Sequence, residues 1–129
     1  MSEKTPPNSV VIPCFRGGNF LEEAIESVLD QTETDWELIL VDNNASEETK
    51  EVISWFVRQC PDRIRMVHEH DQGNSSARNR GIPESKGEFV AFLDDDDRMY
   101  PKRLTLQKTA LSDQPDAVLY SGGNRLIFS

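Results

Sequence analysis

FVAFLDDDDRMYP, residues 89–101, sets an apolar run directly against four consecutive aspartates and, four residues later, a proline. Phe89 to Leu93 has the length and composition of a strand buried on both faces. The aspartates then crowd its tip. At about 4 Å, two carboxylates repel by roughly 4 kcal/mol when the effective dielectric is near 20. Water can solvate such a cluster as an ordinary acidic turn before a helix. A hard divalent cation can also neutralise it. Mg²⁺ or Mn²⁺ prefers oxygen ligands and often takes only one or two carboxylates, the rest being water and substrate phosphate.

The same strand pattern recurs upstream. SVVIPCF (9–15) is a β-rich run closed by Arg16, Gly17, Gly18 and Asn19. A helix is expected next, capped by Asn19 with Glu22 completing a capping box. Its apolar residues Phe20, Leu21, Ala24, Ile25, Val28 and Leu29 recur at helical spacing. WELILVD (36–42) reads as a strand between two helical layers, and Ser46 caps a second helix with Glu47 and Glu48 in its first turn. IRMVHEH (64–70) is a third strand. QGNSS opens a short helix through Ala77, Arg78, Asn79 and Ile82, with Pro83 within or near its end. GEFVAFLD (87–94) is the fourth strand. Pro101 suits the first turn of a helix carrying Leu104, Leu106 and Leu111, and DAVLYSG (116–122) is a fifth strand. Strands alternating with helices predict an α/β fold with a mostly parallel sheet.

The 129 residues suit one core, with residues 1–8 expected to form a disordered polar tail. A net charge of -9 supplies no basic patch for nucleic acid or an anionic membrane. Cys14 and Cys60 show no metal-ligand spacing, and read as free thiols of a reducing cytoplasm. No signal peptide is visible and no apolar run approaches the roughly 20 residues of a membrane span.

Ligands of parallel sheets gather beyond the carboxyl ends of the strands. Those ends carry Phe15, Asp42, the pair His68 and His70, and the aspartates, with Arg78 nearby. Each has a plainer reading. Asp42 serves as a turn residue bonded to local backbone, Phe15 as core, and Arg78 as a solvated charge. His68 and His70 face the same way but lack a third ligand, so they read as surface histidines. Nothing matches GxxxxGK[ST], and no GxGxxG follows the first strand, which argues against a P-loop and a dinucleotide site.

Four stretches, taken together, resemble one family. SVVIPCFRGGNFLEEAIESVLDQT, WELILVDNNASEET, DQGNSSARNRGIPESKGEFVAFLDDDD and Pro101 follow the order and spacing of the N-terminal, nucleotide-sugar-binding half of the family 2 glycosyltransferases. The resemblance implies a Rossmann-like GT-A fold, a three-layer α/β sandwich with a mostly parallel sheet, here truncated. It places Pro13 to Phe15 beside the nucleotide base and Asp42 on the base imide, which suits the uracil of a UDP-sugar. Arg78 and Asn79 fall in the segment lying by the donor. The acidic run occupies the family's DxD position, with Asp96 as the metal ligand for Mn²⁺ or Mg²⁺ and Asp94 or Asp95 on the ribose. The implied reaction is sugar transfer, with inversion, to a carbohydrate or lipid-linked acceptor, in the cytoplasm or at the inner face of a membrane.

The chain also departs from the family pattern. Arg16 stands where asparagine is frequent, DNNASE replaces DDGSTD, and the fourth aspartate leaves the register open between Asp95 and Asp96. The general base of the family lies in the later, acceptor-binding half, and is therefore expected beyond Ser129. Residues 9–129 are then expected to be a donor-binding fragment, inactive alone. NRLIFS (124–129) is expected to be an exposed edge that pairs with a second copy. Two other classes remain. A sugar-phosphate nucleotidyltransferase would use Gly17 and Gly18 as a thin glycine loop. A non-catalytic module would bind a nucleotide sugar without transferring it.

Overall fold

The computed structural model describes residues 8–113, 119–120 and 126–128. The elements run β1 (Asn8–Cys14), α1 (Asn19–Leu29), β2 (Trp36–Asp42), α2 (Glu47–Gln59), β3 (Ile64–His68), α3 (Asn74–Glu84), β4 (Phe89–Phe92), α4 (Arg103–Asp113), β5 (Leu119–Tyr120) and β6 (Leu126–Phe128). They form one sheet in the order β3-β2-β1-β4-β6-β5. All neighbours are parallel except β5, which runs antiparallel to β6. The chain walks outward from β1 to β3 and then crosses to the far side of β1 for β4. The resulting switch between β1 and β4 opens a crevice at the carboxyl ends of both strands.

Alternation along the strands divides the interior in two. Val10, Ile12, Cys14, Leu38 and Leu40 face α1, α2 and the start of α4, meeting Leu21, Ile25, Val28, Ile53, Phe56 and Leu104. Val11, Ile39, Val41, Val90 and Phe92 face α3, meeting Ala77 and Ile82. Shortening a fully buried side chain such as Leu40 to alanine costs about 2–5 kcal/mol in a core of this kind. Gly81 is required where α3 crosses the sheet, because a Cβ there would lie 2.5 Å from Val11 Cγ1.

Pro13 sits in a central strand, which normally excludes proline. Its position resolves the conflict. The Val11 carbonyl accepts from Leu93 on the β4 side and the Cys14 carbonyl accepts from Asn43 on the β2 side. By alternation Pro13 faces β4, where pairing has already ended at Val11 and Phe92. Its missing N–H therefore breaks no ladder bond.

Several expectations need correction. Asn8, placed in the tail, belongs to β1, while residues 1–7 lie outside the described residues. Asn19 is the first residue of α1 rather than its cap. Gly18 holds that position with φ of 51°, and no side chain caps the helix. Thr49 Oγ1 instead accepts the Gly18 amide at 3.0 Å. Phe20 is exposed although Leu21, Ala24, Ile25 and Val28 are buried. On α4, Leu104 is buried but Leu106 is exposed, and the Leu111 side chain lies outside the described ones. The third strand stops at His68, the fourth at Phe92, and α4 begins at Arg103. Of 124–129, residues 126–128 pair with β4 on one side and β5 on the other, so this stretch is not an open edge. Ser129, the position beyond which the general base is expected, lies outside the described residues, as do Asn124 and Arg125. The Ser46 cap is as expected: its Oγ accepts the Thr49 amide.

Candidate functional site

Asp42 closes β2 almost buried, 4% exposed. Its Oδ1 accepts the Ala45 amide at 2.8 Å, which is the local turn role that such a residue ordinarily plays. Its Oδ2 has no backbone donor among the described residues and lies 3.4 Å from His68 Nδ1. The next residue, Asn43, uses both ends of its amide. Nδ2 donates to the Glu69 and Asp71 carbonyls at 2.8 Å each, and Oδ1 accepts the Gly73 amide at 2.9 Å. Asn43 thus pins the loop from β3 to α3 against the β2 tip. Asn44 follows in the left-handed region with φ of 60°.

Phe15 is half-buried, and the Arg16 guanidinium lies 4.8 Å from its ring centroid. Its amide donates to Asp95 Oδ2 at 2.8 Å, bridging the tip of β1 to the acidic turn. Burial pushes the Asp95 carboxyl above its ordinary range. The Phe15 and Gly17 amides oppose that, while Asp96 and Asp94 add to it. Gly17 is needed at this bridge: a Cβ there would sit 2.7 Å from the Asp95 carbonyl oxygen. Beneath the bridge lies Cys14, fully buried, its thiol held well above its ordinary pKa by burial and by Asp95 and Asp42.

The four aspartates therefore have different surroundings. They lie on a turn closed by the Asp97 amide donating to the Asp94 carbonyl at 3.1 Å. Asp94 is exposed and pairs loosely with Arg78, Nη2 to Oδ1 at 3.7 Å. Asp95 turns inward. Asp97 Oδ1 accepts the Arg98 amide at 2.8 Å. Asp96 is exposed, and no hydrogen bond or ion pair joins it to the described residues. Arg78 also lies 5.0 Å from the Phe92 ring centroid, and its buried Nε has no acceptor among the described residues. A cavity of about 280 Å³ opens between Arg78, Phe92, Leu93, Asp94, Asp97 and Arg103. Asn79 is exposed on α3 and shares no hydrogen bond or ion pair with these groups among the described residues.

A divalent cation fits this tip only as a shared ligand. Among the described residues no three His, Cys, Asp or Glu side chains stand close enough to enclose a metal. Asp96 is a carboxylate on an open turn, and Arg78 Nε is a buried donor, neither with a hydrogen-bond partner among the described residues. One carboxylate with a diphosphate completing the shell suits Mg²⁺ or Mn²⁺ chemistry.

Three residues make contacts here that the sequence does not foretell. Asn43 looked like a departure from an acidic pattern, yet an aspartate could not donate to two carbonyls. The bond from the Phe15 amide to Asp95 Oδ2 has no counterpart in the sequence pattern. His68 is exposed, as a surface histidine should be, but it also lies 3.4 Å from Asp42; the final residues of adjacent parallel strands were the available signal.

The fold is that of the GT-A glycosyltransferases. TarS residues 1–349 of S. aureus, solved in complex with UDP, superposes with a TM-score of 0.72 at 20% identity, covering 84% of this chain and 32% of that one. The mannosyltransferase PcManGT from Pyrobaculum calidifontis, in complex with GDP-Man and Mn²⁺, gives 0.71 at 24% identity over 86% of this chain and 34% of that one. The family model described as glycosyl transferase family 2 matches residues 9–125, and the chain belongs to that family. An uncharacterized glycosyltransferase of Escherichia coli K12, YibD, is 35% identical over 90% of this chain and 34% of its own length. A Campylobacter jejuni GalNAc(5)-diNAcBac-PP-undecaprenol beta-1,3-glucosyltransferase is 35% identical over 95% of this chain and 39% of its own. The putative teichuronic acid biosynthesis glycosyltransferase TuaG of Bacillus subtilis is 30% identical over 95% and 48%. The chain thus spans about a third to a half of the length of these relatives. No helix among the described residues is long and apolar enough to cross a membrane.

Proposed function

We propose that residues 9–129 form the donor-binding part of a metal-dependent, inverting glycosyltransferase that takes a nucleotide-diphosphate sugar, UDP-sugars foremost. One observation carries the reading. The Phe15 amide ties to Asp95 at 2.8 Å, coupling the base side of the crevice to the acidic turn and leaving Asp96 free in solvent. The base packs by Pro13 and Phe15, and its imide N–H donates to Asp42. Asp94 contacts the ribose, since among the described residues its carboxylate, unlike that of Asp95, accepts no backbone amide. Arg78 faces the diphosphate with its Nε, which has no acceptor among the described residues, and Asn79 lies on the donor side of α3.

Asp96 would hold Mn²⁺ or Mg²⁺ together with the diphosphate. Bound there, the metal supplies Lewis-acid neutralisation of the leaving group. The acceptor is a carbohydrate or lipid-linked hydroxyl, the class to which the names of the Campylobacter and Bacillus relatives point. Inversion requires a base to deprotonate that hydroxyl opposite the leaving group. We place this base beyond Ser129, outside the donor-binding part, which is therefore inactive alone. Gly17 lends the nucleotidyltransferase alternative no support, because close approach to Asp95 already demands a glycine there.

Calorimetric titration of UDP and GDP tests the reading, in Mn²⁺ and again in EDTA. Binding that requires Mn²⁺ and favours UDP is expected. Equal binding in EDTA would remove the metal from the site. Absence of binding by either nucleotide in Mn²⁺ would refute the donor site itself.

A further inference from the structure

Asp42 and His68 end two neighbouring parallel strands and are paired in register. The Ala45 amide fixes Asp42 Oδ1, so Oδ2 is the acceptor left for a ligand. Asp42 is 4% exposed whereas the His68 side chain is 57% exposed. A planar group that reaches Oδ2 therefore arrives against the imidazole edge. The His68 backbone is held, since its carbonyl accepts from Arg80 Nε at 3.2 Å. Its ring lies parallel to that of His70, within 7° and 6.2 Å between centroids. At 3.4 Å, Nδ1 is beyond ordinary hydrogen-bond distance from Oδ2, and no aligned bond joins the two. In the tautomer with its proton on Nδ1, His68 sets a donor beside the Asp42 acceptor, 3.4 Å apart.

The geometry points to His68 as a specificity-determining residue that reads the carbonyl beside the base imide, Asp42 taking the imide N–H. This rests on the donor-site reading above. Uracil and guanine each present an N–H flanked by a carbonyl oxygen on this edge. Cytosine and adenine present the reverse, a ring nitrogen lone pair flanked by an amino group. Against this pair the lone pair would face a carboxylate and the amino group would face an N–H. Leaving such polar groups unpaired is how a site rejects a near-isostere. The pair therefore selects imide-bearing nucleotides as a class.

Competition titrations of UDP, GDP, CDP and ADP in saturating Mn²⁺ test this on the whole chain, with circular dichroism as the check on folding. Wild type is expected to bind UDP or GDP and to reject CDP and ADP. His68→Phe keeps a ring but loses the donor. UDP affinity should fall by about fivefold to tenfold, one neutral hydrogen bond, and the UDP-to-CDP ratio should fall with it. His68→Asn, which restores a side-chain N–H, should recover part of that ratio. A folded His68→Phe with an unchanged ratio overturns the inference and leaves the donor site standing. Equal binding of all four nucleotides by wild type overturns the inference and removes the Asp42 imide contact, leaving only a donor site that does not read the base. No binding of any of them by wild type overturns the donor site and the inference with it.

Discussion

Asp95 separates two roles that a run of identical residues conceals. Its carboxylate accepts the Phe15 amide at 2.8 Å, and the Gly17 amide stabilises the same charge. Burial and the neighbouring charges of Asp96 and Asp94 work against it. Replacing Asp95 with alanine strands a half-buried amide, which costs roughly 1–3 kcal/mol, less whatever repulsion is relieved. A net loss of about 1–2 kcal/mol is expected. Asp95→Asn keeps a carbonyl oxygen for Phe15 and removes the charge. Its two effects oppose each other, so stability should stay within about 0.5 kcal/mol of wild type. Urea unfolding at pH 7 in EDTA measures both without a metal contribution, provided the denaturant slope is unchanged. Mn²⁺-dependent UDP affinity should follow the same order, retained in Asp95→Asn and weakened about tenfold in Asp95→Ala as the turn loses its anchor. Asn costing as much as Ala, or Ala costing nothing, would refute the bracing role.

Other perturbations probe the frame around the site. Glu37, 5% exposed, accepts from Ser9 Oγ, the Lys86 amide and Arg65 Nη1 at 2.5 Å each, at the far end of the sheet. Burial pushes its carboxyl up, but those three donors outweigh it and hold the pKa below the ordinary value. Its contribution is therefore complete above the unfolded glutamate pKa, near 4.3, and is lost as pH falls through the lower folded value. Glu37→Ala should cost about 3 kcal/mol at pH 7, and its deficit in urea midpoint should narrow towards pH 3. Ser46→Ala removes the cap of α2 and should cost about 1 kcal/mol by thermal unfolding. Gly81→Ala forces a methyl to within 2.5 Å of Val11 Cγ1 and should cost about 1–3 kcal/mol by urea unfolding.

The residues show which parts of this architecture could be read in advance. Strands such as WELILVD are recognisable because both faces are apolar, and Ser46 because capping is a contact between residues three apart. The crowding of the acidic tip was legible for the same reason, since it is visible in a single line of text. What escaped depended on register. Asn43 reaches Glu69 and Asp71, Asp95 reaches Phe15, and His68 reaches Asp42 only after three strands are laid in order. Gly18 replaced Asn19 at the helix start because Thr49, from the next helix, satisfies its amide. Residues 126–128 looked like an edge in isolation and became an interior strand once β5 paired outside them. The free state of Asp96 likewise emerges only by elimination of its neighbours.

That elimination is the central claim. It is tested most directly by the electron paramagnetic resonance signal of Mn²⁺, titrated with protein in the presence of UDP. At fixed Mn²⁺ and UDP, added wild type or Asp97→Ala should lower the free-ion signal below that of Mn²⁺ with UDP alone, and added Asp96→Ala should not. A protein-dependent loss of signal that persists in Asp96→Ala would contradict the account and move the metal to a neighbouring aspartate.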